Sequence, residues 1–325
     1  MIISPHDPEL LAKKLLEIEF LARINPFALS SKARVRSRWK RTNSSLRHWL
    51  QIPLVQDRRN QRITGRPDIA FKDLVCQEYW NEKKPRDGLA LGCGDGASAI
   101  DWANRGSFST LLGLDISQQL VAVAQENVRK FGRSDRDSFK VADVNDIALE
   151  ERHFDVVIFE QSLHHFKDVP SVLSRVRKLL RPGGLLIIDE FIGPRRFQWT
   201  TQQLAFCDAI LLALPEAYRR SASGSNVKTR NLRVGELLMW LNDPSEAIES
   251  DRIESEVLRQ FKLLRRFDYG GTIAHLVFHD IAHNFVTDDP EGINWGRLVL
   301  DAEEMLLSLG LIKSDFVCFV CTTDA

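Results

Sequence analysis

The chain has few of the residues that staple or anchor a protein. Its 325 residues include five cysteines: Cys76, Cys93, Cys207, Cys318 and Cys321. An odd, scattered set argues against a disulfide framework and for a reducing compartment. There is no excess of either charge, with 44 basic and 44 acidic side chains. The whole molecule therefore exerts no long-range pull on polyanions. No apolar run is long enough to span a bilayer. The start, Met1-Ile-Ile-Ser-Pro-His-Asp-Pro, lacks the basic head and apolar stretch of a secretory leader. The expectation is a cytoplasmic protein with no membrane span. No internal repeat is visible.

What remains is an ordinary globular composition, 44% hydrophobic and 27% charged. A chain of this length suits one large α/β domain with additions, or two small ones. Cys318 and Cys321 have the spacing of half a zinc site or of a redox pair. They lie, however, in an alternating apolar run that reads as a terminal strand, with no second ligand pair nearby.

Two sections differ in texture. Up to residue 86 the chain reads as a helical extension or lid. Residues 8–21 carry apolar side chains at helical spacing. A basic stretch follows: Lys32, Arg34, Arg36, Arg38, Lys40, Arg41 and Arg47, with Trp39 and Trp49 interleaved. The segment from Gln51 to Gly65 reads as a lid crossing the sheet edge.

Residues 87–325 read as one α/β domain. Strands are expected at Gly88–Leu91, Leu111–Asp115, Ser138–Ala142, Asp155–Phe159 and Leu185–Asp189. Uniformly apolar, β-branched runs suit a parallel sheet buried on both faces. Ser117 can cap a helix reaching Lys130, and a further helix covers Val172–Leu180. This alternation predicts a doubly wound parallel sheet. Later strands are expected at Lys262–Phe267 and Phe316–Cys321. Helical insertions are expected at 194–235 and 270–310.

Ligands of an open parallel sheet bind beyond the carboxyl ends of its strands. The loop after the first strand is Gly92-Cys93-Gly94-Asp95-Gly96, where glycine permits tight turns and close approach. Gly92, Gly94 and Ala97 also fit a dinucleotide-binding pattern. Asp115, followed by Ile116, ends the second strand, about 20 residues beyond the loop, where a carboxylate can accept from ribose hydroxyls. After the third strand, Asp143 can accept from an adenine amino group while Val144 lies against the ring. Glu160-Gln-Ser-Leu-His164-His165 follows the fourth strand, and Leu180-Arg-Pro-Gly-Gly184 precedes the fifth.

In this order, over about residues 87–191, these features resemble the class I S-adenosylmethionine-dependent methyltransferase family. The resemblance implies a Rossmann-like, seven-stranded, mostly parallel sheet whose last strand is antiparallel. It implies helices on both faces and S-adenosylmethionine as cofactor, and, because N-terminal helices cover the cofactor in many members, it implies that Arg62, Tyr79 and Trp80 face it. It assigns Gly92, Cys93, Gly94, Gly96, Asp115, Ile116, Asp143 and Val144 to cofactor binding. One departure is Ala90, where many family members carry an acid that helps hold the methionine amino group. Glu160 is the expected substitute.

A hydroxyl or amine acceptor must also lose a proton, so a base near neutral pKa is useful. The candidates are His164 and His165, then Glu190 and His275. Arg195 and Arg196 follow the fifth strand and can clamp an anionic acceptor. His275, His279 and His283 share one stripe if their segment is a continuous helix. Such a stripe more often packs than chelates, so no metal is expected.

The roof formed by the N-terminal helices and the 194–235 insertion is similar to that of bacterial methyltransferases of glycan and natural-product pathways. The leading expectation is O- or N-methyl transfer to a small-molecule or glycan-like acceptor. An RNA methyltransferase using the basic stretch is one alternative, and it predicts nucleic-acid binding that falls steeply with salt. A non-catalytic cofactor-binding regulator is another, and an NAD-dependent dehydrogenase a third. The oligomeric state is not readable.

Overall fold

The computed structural model describes residues 48–80, 84–222, 226–233, 235–236, 239–240, 243–286 and 288–323. The expected helix at 8–21 and the basic stretch from Lys32 to Arg47 lie outside the described residues.

Seven strands form one sheet: β1 (Asp87–Leu91), β2 (Thr110–Asp115), β3 (Asp137–Val141), β4 (Phe154–Glu160), β5 (Leu180–Phe191), β6 (Lys262–Gly270) and β7 (Phe316–Thr322). Their order is β3-β2-β1-β4-β5-β7-β6. Pairs among β1 to β5 are parallel, while β7 runs antiparallel to both β5 and β6. This is the Rossmann-like α/β fold expected from the sequence. The central strands are apolar on both sides because both faces are covered: Val156 and Val157 are each fully buried, in different core clusters.

The helices that bear on the site are α1 (Pro53–Thr64), α2 (Phe71–Tyr79), α3 (Ala97–Arg105), α4 (Gln118–Lys130), α5 (Val169–Leu179), α6 (Thr201–Ala213), α7 (Ser250–Gln260), α8 (Ala274–Phe278) and α9 (Pro290–Ser308). Ser117 caps α4 as expected, its hydroxyl accepting from the Leu120 amide. α5 and α7 bury Val172, Val176, Ile253 and Val257 in one cluster, and α1 to α4, α6, α8 and α9 bury theirs in the other. No helix among the described residues is long and apolar enough to cross a membrane.

Two expectations are corrected. The segment from Gln51 to Gly65 does not cross an edge. It forms α1, which lies on a face of the sheet: Arg59 pairs with Asp189 of β5 at 2.5 Å and covers the Tyr269 ring of β6 at 4.9 Å. Arg62 and Trp80 do not face the glycine loop. Arg62 pairs with Glu304 of α9 at 2.5 Å, and Trp80 packs edge-on against Trp102 and Phe108. Tyr79 is partly buried against the same cluster.

The histidine stripe also fails. α8 ends at Phe278, His279 is extended (φ −54, ψ 132), and Asp280 is left-handed (φ 66). The helical phase is lost there, so His275, His279 and His283 share no face. Cys318 and Cys321 lie in β7, as expected, and fall in different core clusters. Three residues apart on a strand means opposite faces, so they cannot share a metal.

Candidate active site

The loops at the carboxyl ends of β1, β2 and β3 form one continuous rim. The amides of Gly92 and Cys93 both donate to the Leu114 carbonyl (2.8 and 3.1 Å). The Gly94 amide donates to one oxygen of Asp115 (2.9 Å) and the Ser117 amide to the other (2.8 Å). The Ala142 amide donates to the Asp115 carbonyl (2.9 Å). The glycine loop, Asp115 and the Ala142–Asp143 turn are thus tied together by backbone bonds.

Two glycines have reasons visible in the geometry. Gly92 (φ +65) turns so tightly that a Cβ would sit 2.7 Å from the Ser162 Cβ. Gly94 (φ +55) has nothing within 4 Å of its missing Cβ, so its backbone borders open space. Val144 is buried beneath this rim, while Asp115, Ile116 and Asp143 are half-exposed. An open glycine cradle beside a half-exposed carboxylate fits an adenosyl ligand. Burial pushes the Cys93 thiol up, so it stays a neutral packing group.

Glu160 ends β4 on the face that Ala90 occupies in β1, with Ala90 in register with Ile158. Its carboxylate accepts from the Trp102 indole (2.8 Å) and pairs with Lys72 of α2 (3.3 Å). Lys72 also donates to the Ser98 hydroxyl (2.7 Å). Lys72 and Trp102 were not among the residues expected here.

Beyond β4 and β5 stands a polar cluster. The strand alternation sends Asp189 to one face, toward Arg59 and the Tyr269 hydroxyl (2.7 Å), and Glu190 to the other. Glu190 is fully buried and accepts from the amides of Ser162 (3.0 Å), Leu163 (2.6 Å) and Phe191 (2.7 Å) and from His164 Nδ1. Burial disfavours its charge, but His164 overrides that and holds the carboxyl below its usual range. A carboxylate so occupied is no free base, and Glu190 instead holds His164.

Burial likewise opposes a charge on His164, yet Glu190, with Glu246 and Asp243, lifts its pKa to about 9. His164 therefore carries a proton at neutral pH and is no ready base either. His165 is pushed the other way, by burial and then by the charge on His164. Arg196 does not meet an acceptor. Its buried guanidinium donates to the carbonyls of Pro244 (3.0 Å), Glu246 (3.0 Å) and Asp243 (3.4 Å).

A packed group of aromatic rings adjoins this cluster. Phe191 ends β5 and is in register with Phe316, which opens β7 beside Gly270 of β6. His275, just past β6, has Trp49, Phe191, Phe197, Trp199 and Phe316 around it, with ring centroids 5.4–6.2 Å away. Burial, then His279 and His48, drives the His275 pKa well below 6.5, so it is neutral. Its Nδ1 and the indole nitrogens of Trp49 and Trp199 are buried with no hydrogen-bond partner among the described residues. Glu303 of α9 fixes this turn, accepting from the amides of Gly271 (3.1 Å), Ile273 (2.6 Å) and Ala274 (3.2 Å). Glu303 and Glu246 carry no local sequence signal, because each acts through a partner distant in the chain.

A family model described as a methyltransferase domain matches residues 89–188. A 2-phytyl-1,4-naphtoquinone methyltransferase of Trichormus variabilis is 30% identical over 168 residues, 51% of this chain and 72% of the relative. A 27-O-demethylrifamycin SV methyltransferase of Amycolatopsis mediterranei is 35% identical over 104 residues, 32% of this chain and 38% of the relative. Among solved structures, a phosphoethanolamine N-methyltransferase of Haemonchus contortus in complex with S-adenosyl-L-methionine is 16% identical, covers 79% of this chain and 53% of its own, and has a TM-score of 0.48.

Proposed function

The chain belongs to the class I S-adenosylmethionine-dependent methyltransferase family, and on that premise we propose that it methylates an oxygen or nitrogen of a small molecule that binds against the aromatic rings around His275, beyond β5. The observation that carries this reading is the trio of buried nitrogens of Trp49, Trp199 and His275 that have no hydrogen-bond partner among the described residues. Buried polar groups are normally hydrogen-bonded, and leaving one unpaired costs about 1–3 kcal/mol. Three around one set of rings argue for a ligand that carries polar atoms on a flat or apolar body. The relatives' acceptors, a naphthoquinone and a rifamycin, are of that kind.

The cofactor supplies a methyl group on a positively charged sulfur. In this reading Gly92, Cys93, Gly94 and Gly96 let the backbone pass close to it. Asp115 takes the ribose, and Ile116, Val144 and Asp143 take the adenine. Lys72 and Glu160 offer a cation and an anion together, which suits the carboxylate and amino group of an amino-acid end. The pair compensates for Ala90. His275, neutral and with its Nδ1 lacking a partner among the described residues, accepts the proton that an acceptor hydroxyl loses as it gains the methyl. Alignment is the larger contribution, because holding reactants in line can supply roughly 7–11 kcal/mol.

The test is a panel of quinols, polyketides and small amines incubated with the full chain and S-adenosylmethionine, with methylated products identified by mass spectrometry. His275→Gln should lower kcat about a hundredfold, at the low end of general-base effects. Its affinity for S-adenosylhomocysteine should not change. A His275→Gln enzyme as fast as the parent would remove His275 from proton transfer. Methylation of nucleic acid alone would overturn the small-molecule reading.

A further inference from the structure

The geometry points to a divalent transition-metal site built from His164, His165 and Glu246, beside the aromatic rings around His275 and independent of the acceptor's identity. The sequence reading expected no metal. One ligand atom from each of the three residues lies within 4.8 Å of the others. His164 is buried, and the other two are half-buried.

The surroundings hold these groups as a second shell holds metal ligands. Glu190, fully buried, occupies His164 Nδ1. That leaves Nε2 as the free ligand atom, and it already points at Glu246 Oε1, 3.5 Å away. A carboxylate behind a histidine fixes its ring and raises its basicity toward a metal. The Ile248 amide donates to the His164 carbonyl (3.1 Å), tying the Glu246 loop to the histidine turn. Arg196 clamps that loop from behind through the Asp243, Pro244 and Glu246 carbonyls. Its own amide donates to the Ala247 carbonyl (2.7 Å). Ala247 takes a left-handed conformation (φ 45), a backbone state that costs about 1–3 kcal/mol and is kept where surroundings enforce it.

Two imidazoles and one carboxylate favour zinc, iron, cobalt or nickel over magnesium or calcium, which prefer oxygen-only shells. Three protein ligands leave at least one coordination position open. Phe191 links this site to the rings around His275, its ring centroid lying 6.2 Å from both His164 and His275. An oxygen-bearing acceptor can fill the open position.

The test uses full-length protein stripped with chelator and titrated calorimetrically with Zn²⁺, Co²⁺ and Mg²⁺. Visible absorption of the Co²⁺ form is recorded alongside. We expect one equivalent of Zn²⁺ or Co²⁺ and no saturable Mg²⁺ binding. Glu246→Gln and His165→Gln should each weaken binding at least tenfold, by analogy with the tenfold to hundredfold seen for outer-shell partners. Each should also alter the Co²⁺ spectrum. Both variants should bind S-adenosylhomocysteine like the parent, which shows that they fold and separates this test from the methyl-transfer reading. No saturable ion binding by the parent, or binding that both variants retain unchanged, would overturn the site.

Discussion

Replacing Asp115 by alanine should reduce affinity for S-adenosylmethionine and S-adenosylhomocysteine by about 10²–10⁴. Two hydrogen bonds from ribose hydroxyls to a carboxylate are worth about 1.5–3 kcal/mol each, and each 1.4 kcal/mol is tenfold. The carboxylate has a second task. One oxygen accepts from the Gly94 amide and the other from the Ser117 amide. Its loss therefore releases the glycine loop as well. Asparagine should rescue little, because its amide nitrogen would face one of those two donors. Calorimetry with both adenosyl ligands and with NAD reads the outcome. Unchanged affinity in Asp115→Ala would show that this rim does not hold the cofactor, whatever the fold.

The glycine loop, Asp115 and Asp143 were legible because they are local. Each follows a short apolar strand, and backbone bonds between neighbouring strands bring the three loops together. Ser117 and the strand ends fell close to expectation for the same reason. β5 proved longer than its apolar core, because Leu180 pairs with Phe154 before the Pro182-Gly183-Gly184 bulge. What the sequence hid was direction. Glu190 read as a base just beyond the fifth strand, whereas Asp189 and Glu190 are both strand residues on opposite faces, each with its own cation. The histidine stripe rested on a helix that Asp280 breaks. Glu246, Glu303 and Lys72 were invisible because their partners come from other parts of the chain.

The opposed environments of Glu190 and His164 set a pH dependence that stability measurements should resolve. The His164 pKa is raised from 6.5 to about 9, with burial opposing the shift and Glu190 driving it. A raised pKa means that the folded chain binds the proton more tightly than the unfolded chain. The resulting stability is complete below pH 6.5 and is lost as pH rises through about 9. At 1.36 kcal/mol per unit, the difference is on the order of 3 kcal/mol. His165 and His275 have lowered values, so they act in the other direction and cost stability as pH falls below 6.5. Urea midpoints should therefore peak near pH 6.5 and decline toward pH 9. Glu190→Gln should remove most of that alkaline slope. It should also cost about 3–5 kcal/mol near neutrality, because it leaves a buried cation without its main partner and presents an amide to amide donors. His164→Asn provides a check if that variant does not fold, since it too should flatten the slope. A parent chain whose stability is level between pH 6.5 and 9 would mean that His164 is not protonated against Glu190, and the two residues would then be an uncharged hydrogen-bonded pair.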